Sequence, residues 1–220
     1  MSATRHSFDL ALEELQQDIL RMGGLVEEAI ANSVQSLAKQ DLELARKVIA
    51  GDEAIDDLEL HIEDKCMKLI ATQQPMARDL RRIGTGVRII IDLERMADHA
   101  TAIAKTTLKF AHQPLIKPLI DIPKMARLAQ NMVRNVLDAY VHGNVNLAID
   151  TCKADDEIDH LYKLVYDELL ALMEKDPTKI YQGTALLFVA FFLERIADHT
   201  TNIGEAIIYL ETGQHKDLNP

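Results

Sequence analysis

The sequence predicts an all-α protein built as two tandem antiparallel three-helix bundles, related by a pseudo-twofold internal repeat. Three observations lead there. First, Leu93-Glu94-Arg95-Met96-Ala97-Asp98-His99-Ala100-Thr101-Ala102-Ile103 returns one hundred residues later as Leu193-Glu194-Arg195-Ile196-Ala197-Asp198-His199-Thr200-Thr201-Asn202-Ile203, identical at eight of eleven positions. A match that dense within one chain marks a duplicated unit. Second, apolar residues recur at helical three-and-four spacing, and no window alternates as a strand would. Third, prolines fall at segment boundaries and bracket one short linker.

The first helix is read from Phe8, Leu12, Leu15, Ile19, Met22, Val26, Ile30, Val34 and Leu37. Gly23-Gly24 lies inside it and marks a kink or a close packing contact. Asp41 has the chemistry of an N-cap for the second helix, whose stripe is Leu44, Val48, Ile55, Leu58, Ile62, Cys66 and Leu69. Gly51-Asp52 is a point where it can bend. Gln74-Pro75 ends that helix and opens the third, which runs from about Met76 to His112.

Pro114 and Pro118 bracket the linker, read as His112 to Asp121. The chain therefore divides into repeats at 1–113 and 118–220. A fourth helix is expected from Pro123 to His142, stopped by Gly143. Asn144 can cap a fifth that reaches about Lys175. Asp176-Pro177, an Asp cap followed by Pro at the first helical position, starts a sixth that ends near Thr212-Gly213. The early part of each unit matches too: Asp52, Ile55, Asp56 and Leu58 return as Asp155, Ile158, Asp159 and Leu161. This register differs by three residues from the later match, so the loop between the second and third helix of each unit differs in length.

Composition narrows the function classes. Of 220 residues, 48% are hydrophobic and 5% aromatic, with no Trp, which gives an aliphatic core. A formal charge of −11 disfavours nucleic acid, whose phosphates call for a basic face. Cys66 and Cys152 belong to no C-x-x-C pair and read as reduced thiols of a cytoplasmic protein. The N-terminal residues contain no apolar segment of the kind that directs secretion. The longest uncharged apolar stretch, Thr184 to Leu193, is too short to span a bilayer. Membrane contact is therefore expected only through partners, and aliphatic helix faces fit association as a homodimer.

The chemistry concentrates on the repeated motif. On a helix Glu94 and Asp98 share a face, as do Glu194 and Asp198. Their stripes are otherwise mostly apolar: Ile83, Val87, Ile90 and Thr101 in one copy, Leu187, Ala190 and Thr201 in the other. Carboxylates on a face that buries need positive compensation. Asp56 and Asp159 from the neighbouring helices complete a partial cage of oxygen donors, suited to magnesium, manganese, iron or zinc. Glu205, further along the second stripe, is a seventh candidate ligand, and Asp52 and Asp155 stand in the same region. The competing reading pairs the carboxylates with Arg88, Arg95 and Arg195 as a charged face. No obvious fixed cation shares the stripe, which counts against that reading. His99 and His199 point well around the helix from the glutamates, as packed or hydrogen-bonded histidines would. His160 stands where the first copy has Asp57, so the two sites are not identical.

There is no G-x-x-x-x-G-K-[ST], no H-E-x-x-H and no G-x-S-x-G. Di-iron bundles place a histidine three residues after the glutamate; here Ala97 and Ala197 occupy that place. An enzyme is not expected. The alternative is a metal-dependent enzyme on a carboxylate-lined bundle.

At these residues the chain resembles the PhoU family of phosphate-uptake regulators. The resemblance rests on the duplicated Leu-Glu-Arg-[Met/Ile]-Ala-Asp-His motif, on Met22-Gly23-Gly24, on Gln74-Pro75-Met76-Ala77-Arg78-Asp79-Leu80-Arg81, and on Asn202-Ile203-Gly204-Glu205. It implies a cytoplasmic negative regulator of phosphate uptake and of the phosphate-starvation response. It implies an adaptor between the ATPase of a phosphate ABC transporter and a sensor histidine kinase. It also implies metal ions, as multinuclear clusters, on Glu94, Asp98, Glu194 and Asp198. Ala102 and Lys105 stand where the second copy has Asn202 and Glu205, so the first site lacks two polar groups of the family pattern.

Overall fold

The computed structural model describes residues 3–111 and 113–218, the side chains of residues 3–5 excepted. His112, expected at the end of the third helix and the start of the linker, lies outside the described residues. The helices are α1 (Ala3–Lys39), α2 (Leu42–Gln73), α3 (Ala77–Lys109), α4 (Asp121–His142), α5 (Val145–Lys153), α6 (Asp155–Lys175) and α7 (Ile180–Thr212), with a 3-10 turn at Pro177–Lys179. No strand is present among the described residues.

α1, α2 and α3 pack as one bundle; α4, α5–α6 and α7 pack as the second. All nine residues of the α1 stripe are buried. In α2, Val48, Ile55, Ile62, Cys66 and Leu69 are buried, while Leu44 and Leu58 are only partly covered. The expected caps form. Asp41 accepts from the Leu44 N–H at 3.0 Å and Asn144 from the Leu147 N–H at 3.1 Å. Gly143 and Gly213 take the left-handed conformation that closes α4 and α7. Asp176 caps the 3-10 turn through the Thr178 N–H, and α7 proper begins three residues later than Pro177.

Two local expectations change, and one open alternative is decided. α2 runs unbroken through Gly51-Asp52, with no interruption there. The break falls instead at the related place in the second repeat, where the expected fifth helix divides into α5 and α6 at Ala154. Ala154 N–H bonds back to Thr151 O at 3.0 Å, a tighter 3-10 closure. Asp155, Asp156 and Glu157 then occupy the first turn of α6, where the helix dipole favours anions. α1 runs unbroken through Gly23-Gly24, and of the two readings the close packing contact holds. A Cβ on Gly23 would stand 2.2 Å from Leu137 Cδ1, so Gly23 lets α1 and α4 approach closely.

The bundles meet along two seams, α3 with α7 and α1 with α4. α3 and α7 run antiparallel, since Arg81 Nε reaches Leu210 O at 3.4 Å and Thr85 Oγ1 reaches Ala206 O at 3.5 Å. Across the other seam Arg134 Nη2 meets Glu27 Oε2 at 2.8 Å, and Gln130 donates to Glu27 O at 3.0 Å. One apolar cluster, from Phe8 to Leu210, is continuous through both bundles. α7 is long and apolar enough to cross a membrane by length and composition, but it packs against α3, α4, α5 and α6. That central position accounts for much of its apolar character.

Candidate functional site

Each acidic motif faces an acidic stretch of the neighbouring helix. In the first repeat Glu94 of α3 stands in the field of Glu59 and Asp56 of α2, and Asp52 is repelled by Asp56 and by Asp98 of α3. Burial first, and the Asp98 charge second, push the Glu94 carboxyl above the ordinary carboxylate range, with Arg95 opposing them and Glu59 and Asp56 adding less. Asp52 is raised mainly by burial and is partly compensated by a hydrogen bond from Thr101. In the second repeat Asp155 and Asp159 of α6 face Glu194 and Asp198 of α7. Asp155 is pushed up to about 7, by burial and then by Asp159, Asp198, Glu194 and Asp156. Glu194 and Asp159 move in the same direction, chiefly from burial and the Asp198 charge.

The two clusters are unequal. The Asp98 side chain retains 52% of its exposure and Asp198 only 19%, and Asp155 is buried. Within the second cluster Glu194 Oε2 is buried without a hydrogen-bond partner. A buried carboxylate oxygen without a donor costs free energy comparable to a lost charged hydrogen bond, about 1–3 kcal/mol or more. Oxygen donors of this kind, with compressed acidities, match a hard or borderline cation. Among the described residues no three of these side chains converge into a ready-made cation shell. The donor chemistry fits a metal, and the side chains would have to turn inward to hold one.

Arginine compensation, expected to be lacking, is present. Arg95 Nε lies 3.4 Å from Glu94 Oε2 and its Nη1 lies 3.9 Å from Asp98 Oδ2. Arg195 Nη1 pairs with Asp198 Oδ2. Each motif therefore supplies its own cation from position i+1, because i+1 and i+4 lie three apart on one helix face. Both arginines remain partly exposed. Exposed pairs of this kind contribute about 0–1 kcal/mol, too little to neutralise four carboxylates.

The structure brings together Asp56 with Glu94 and Asp98, and Asp159 with Glu194 and Asp198. It does not bring Glu205 into that group. Glu205 is eleven residues beyond Glu194, about 16 Å along the helix axis. Its Oε1 accepts the Leu218 N–H at 2.7 Å. Glu59, and Tyr162 at the related place on α6, escaped the sequence reading, although Tyr162 senses the Glu194 charge. Glu59 lies three residues after Asp56, a spacing that could have revealed it.

The histidines are packed, as expected. The His99 ring stacks on Phe192 with centroids 5.5 Å apart and lies 5.6 Å from the His199 ring. Burial, then the His199 and Arg195 charges, lower His99 to about 4. His199 Nδ1 lies 2.9 Å from Asp92 Oδ1, which also accepts from Asn202 Nδ2 at 3.1 Å. Asp92 was not singled out by the sequence. Its counterpart one hundred residues on is Phe192, so the two histidines on the pseudo-twofold axis meet a carboxylate on one side and a ring on the other.

Against known proteins, residues 19–107 and 122–207 match the PhoU domain. The chain is 44% identical over 220 residues to the phosphate-specific transport system accessory protein PhoU homolog of Clostridium acetobutylicum, covering 98% of this chain and 99% of that one. It is 37% identical over 215 residues to the homolog of the same description from Streptococcus pneumoniae, covering 98% of this chain and all of that one. Among solved structures, the phosphate transport system regulatory protein PhoU from Streptococcus pneumoniae superposes with a TM-score of 0.89 at 36% identity, over 96% of this chain and 100% of that one. PhoU from Pseudomonas aeruginosa gives 0.90 at 33% identity, over 94% and 100%. Family match, identity over nearly the whole length and shared fold agree: the chain belongs to the PhoU family.

Proposed function

We propose that this protein is a negative regulator of phosphate uptake and of the phosphate-starvation response. It acts in the cytoplasm by contact, as an adaptor between the ATPase of a phosphate ABC transporter and a sensor histidine kinase. The observation that carries this reading is the 44% identity, over almost the full length of both chains, to a protein named as an accessory of the phosphate-specific transport system. Two rigid bundles with acidic faces suit a protein whose work is docking. Self-association as a homodimer belongs to the same proposal.

Metal ions form its second half. Glu194, Asp198, Asp155 and Asp159 are the proposed ligands of the more enclosed site, and Glu94, Asp98 and Asp56 of the more open one. Bound iron, zinc, manganese or magnesium would supply the positive charge that these carboxylates lack. Glu205, placed at the C-terminal segment, would serve only a separate ion. The support is the buried Glu194 Oε2 without a donor and the crowding that protonates Asp155 near neutrality.

The regulatory reading is tested by deleting the gene in its own host and measuring phosphate uptake and a starvation-responsive promoter in phosphate-rich medium. Both are expected to rise and to return to basal level on complementation. Unchanged uptake and promoter activity in the deletion strain would contradict it.

A further inference from the structure

The α3–α7 seam carries a groove on each of its two sides, related by the internal repeat. On one side Arg88 and Asp92 of α3 face Asn202 and Glu205 of α7 around a cavity of about 430 Å³. The chain's own C-terminal segment folds back along it. His215 stacks on Tyr209 with centroids 4.2 Å apart, Leu218 N–H donates to Glu205, and residues 215–217 form one wall. On the other side Ala102, Lys105 and Lys109 of α3 face Tyr181, Phe188 and Phe192 of α7 around a cavity of about 470 Å³. After α3 the Phe110 ring meets the edge of the groove at Tyr181, with centroids 6.3 Å apart. Gln182 then receives the Ile116 N–H and donates to Pro114 O, and among the described residues none of 113–120 lines this second groove.

The lining of the second groove is inverted in character. By the repeat offset, Lys105 replaces Glu205, Ala102 replaces Asn202, Phe188 replaces Arg88 and Phe192 replaces Asp92. Phe188 keeps 54% of its surface exposed and Tyr181 64%. Apolar rings at that exposure, flanked by two lysines on a chain of net charge −11, mark a recognition surface.

We propose that this groove is the docking site for an extended segment of a partner protein bearing apolar side chains and carboxylates. The related groove supplies the precedent for an extended segment lying along the seam. The rings offer pockets for its apolar side chains, and Lys105 and Lys109 select acidic residues by charge complementarity. A lipid surface is disfavoured, because the groove is concave and the chain as a whole is acidic. The assignment goes beyond the adaptor reading and stands or falls separately from it and from metal occupancy.

The test uses the purified full-length chain against a phage-displayed library of random dodecapeptides at physiological salt. Selected sequences are expected to be rich in Asp or Glu together with Phe, Leu or Tyr. A fluorescent copy of one should lose at least about tenfold in affinity on Phe188→Asp and on Lys105→Glu/Lys109→Glu. It should be unaffected by Arg88→Ala on the related groove. Lys105 also stands near Asp52, so Lys109→Glu alone is included, and thermal melts establish that each variant folds. Recovery of no peptide that depends on these residues, or of basic peptides, would overturn the proposal. So would sedimentation of the chain with phosphatidylglycerol vesicles through Phe188 and the lysines in place of peptide binding.

Discussion

Asp155 retains its proton to about pH 7 in the folded chain and to about 3.8 when unfolded. Its contribution to stability is full below about pH 4 and is lost as the pH rises through 7, because the native state binds the proton that the unfolded state has already released. Metal-free protein should therefore lose stability from this site between pH 4 and 7. In urea titrations, Asp155→Asn is expected to flatten that decline and to gain at least about 1 kcal/mol at pH 7.5, given about 1.4 kcal/mol per unit of displacement. An unchanged slope would show that the crowding is relieved some other way. His99 works in the opposite sense. Lowered from 6.5 to about 4, it contributes stability above pH 6.5 that disappears as the pH falls through 4. His99→Leu should remove that acid-side loss, read from melting temperatures at pH 7 and pH 4.5. The carboxylate pairs behind these predictions were legible in the sequence, since a spacing of four dictates a shared face. The His199–Asp92 contact was not. It depends on which residue of α3 the antiparallel crossing with α7 sets opposite His199, and no local pattern encodes that.

At the level of the helices, caps and stripes were readable because they are local. Asp41 and Asn144 cap by side-chain oxygens within three residues, and every residue of the α1 stripe is buried. Asp41→Ala should cost about 1 kcal/mol of stability, measured by denaturant unfolding. The division at Ala154 carries no Gly or Pro, and the weak helix formers beside it, Thr151, Cys152, Asp155 and Asp156, do not by themselves mark a break; it accompanies a close approach of α5 to α7. That approach is visible at Gly204, where a Cβ would stand 2.3 Å from Cys152 Sγ. Gly23 and Gly24 give a sharper test, since they are neighbours in sequence with opposite surroundings. Gly23→Val overpacks the α1–α4 seam against Leu137 and should cost about 1–3 kcal/mol. Gly24→Ala meets nothing within 4 Å and should gain up to about 1 kcal/mol from helix propensity. Equal effects at the two positions would mean that the seam has more slack than its geometry implies.

For the whole molecule, duplication supplies the frame, and divergence between the copies makes the two acidic clusters and the two seam grooves unlike. The proposed repeats, 1–113 and 118–220, share one continuous core and two seams, so neither should behave as an independent domain. Residues 118–220 expressed alone are expected to self-associate and to bind an apolar dye. A monomeric fragment with cooperative unfolding would contradict that. Repeat divergence also makes the acidic clusters unequal, with Glu194 and Asp155 more enclosed than their counterparts. These clusters are proposed to hold metal, the second more firmly than the first. The direct measurement is elemental analysis of the purified chain after incubation with iron, manganese or zinc and gel filtration, beside Glu94→Ala and Glu194→Ala. Stoichiometric metal in the parent, with the larger loss in Glu194→Ala, is the predicted result. Metal absent from the parent, or unchanged in both variants, would contradict it and leave the carboxylates as partners of Arg95 and Arg195.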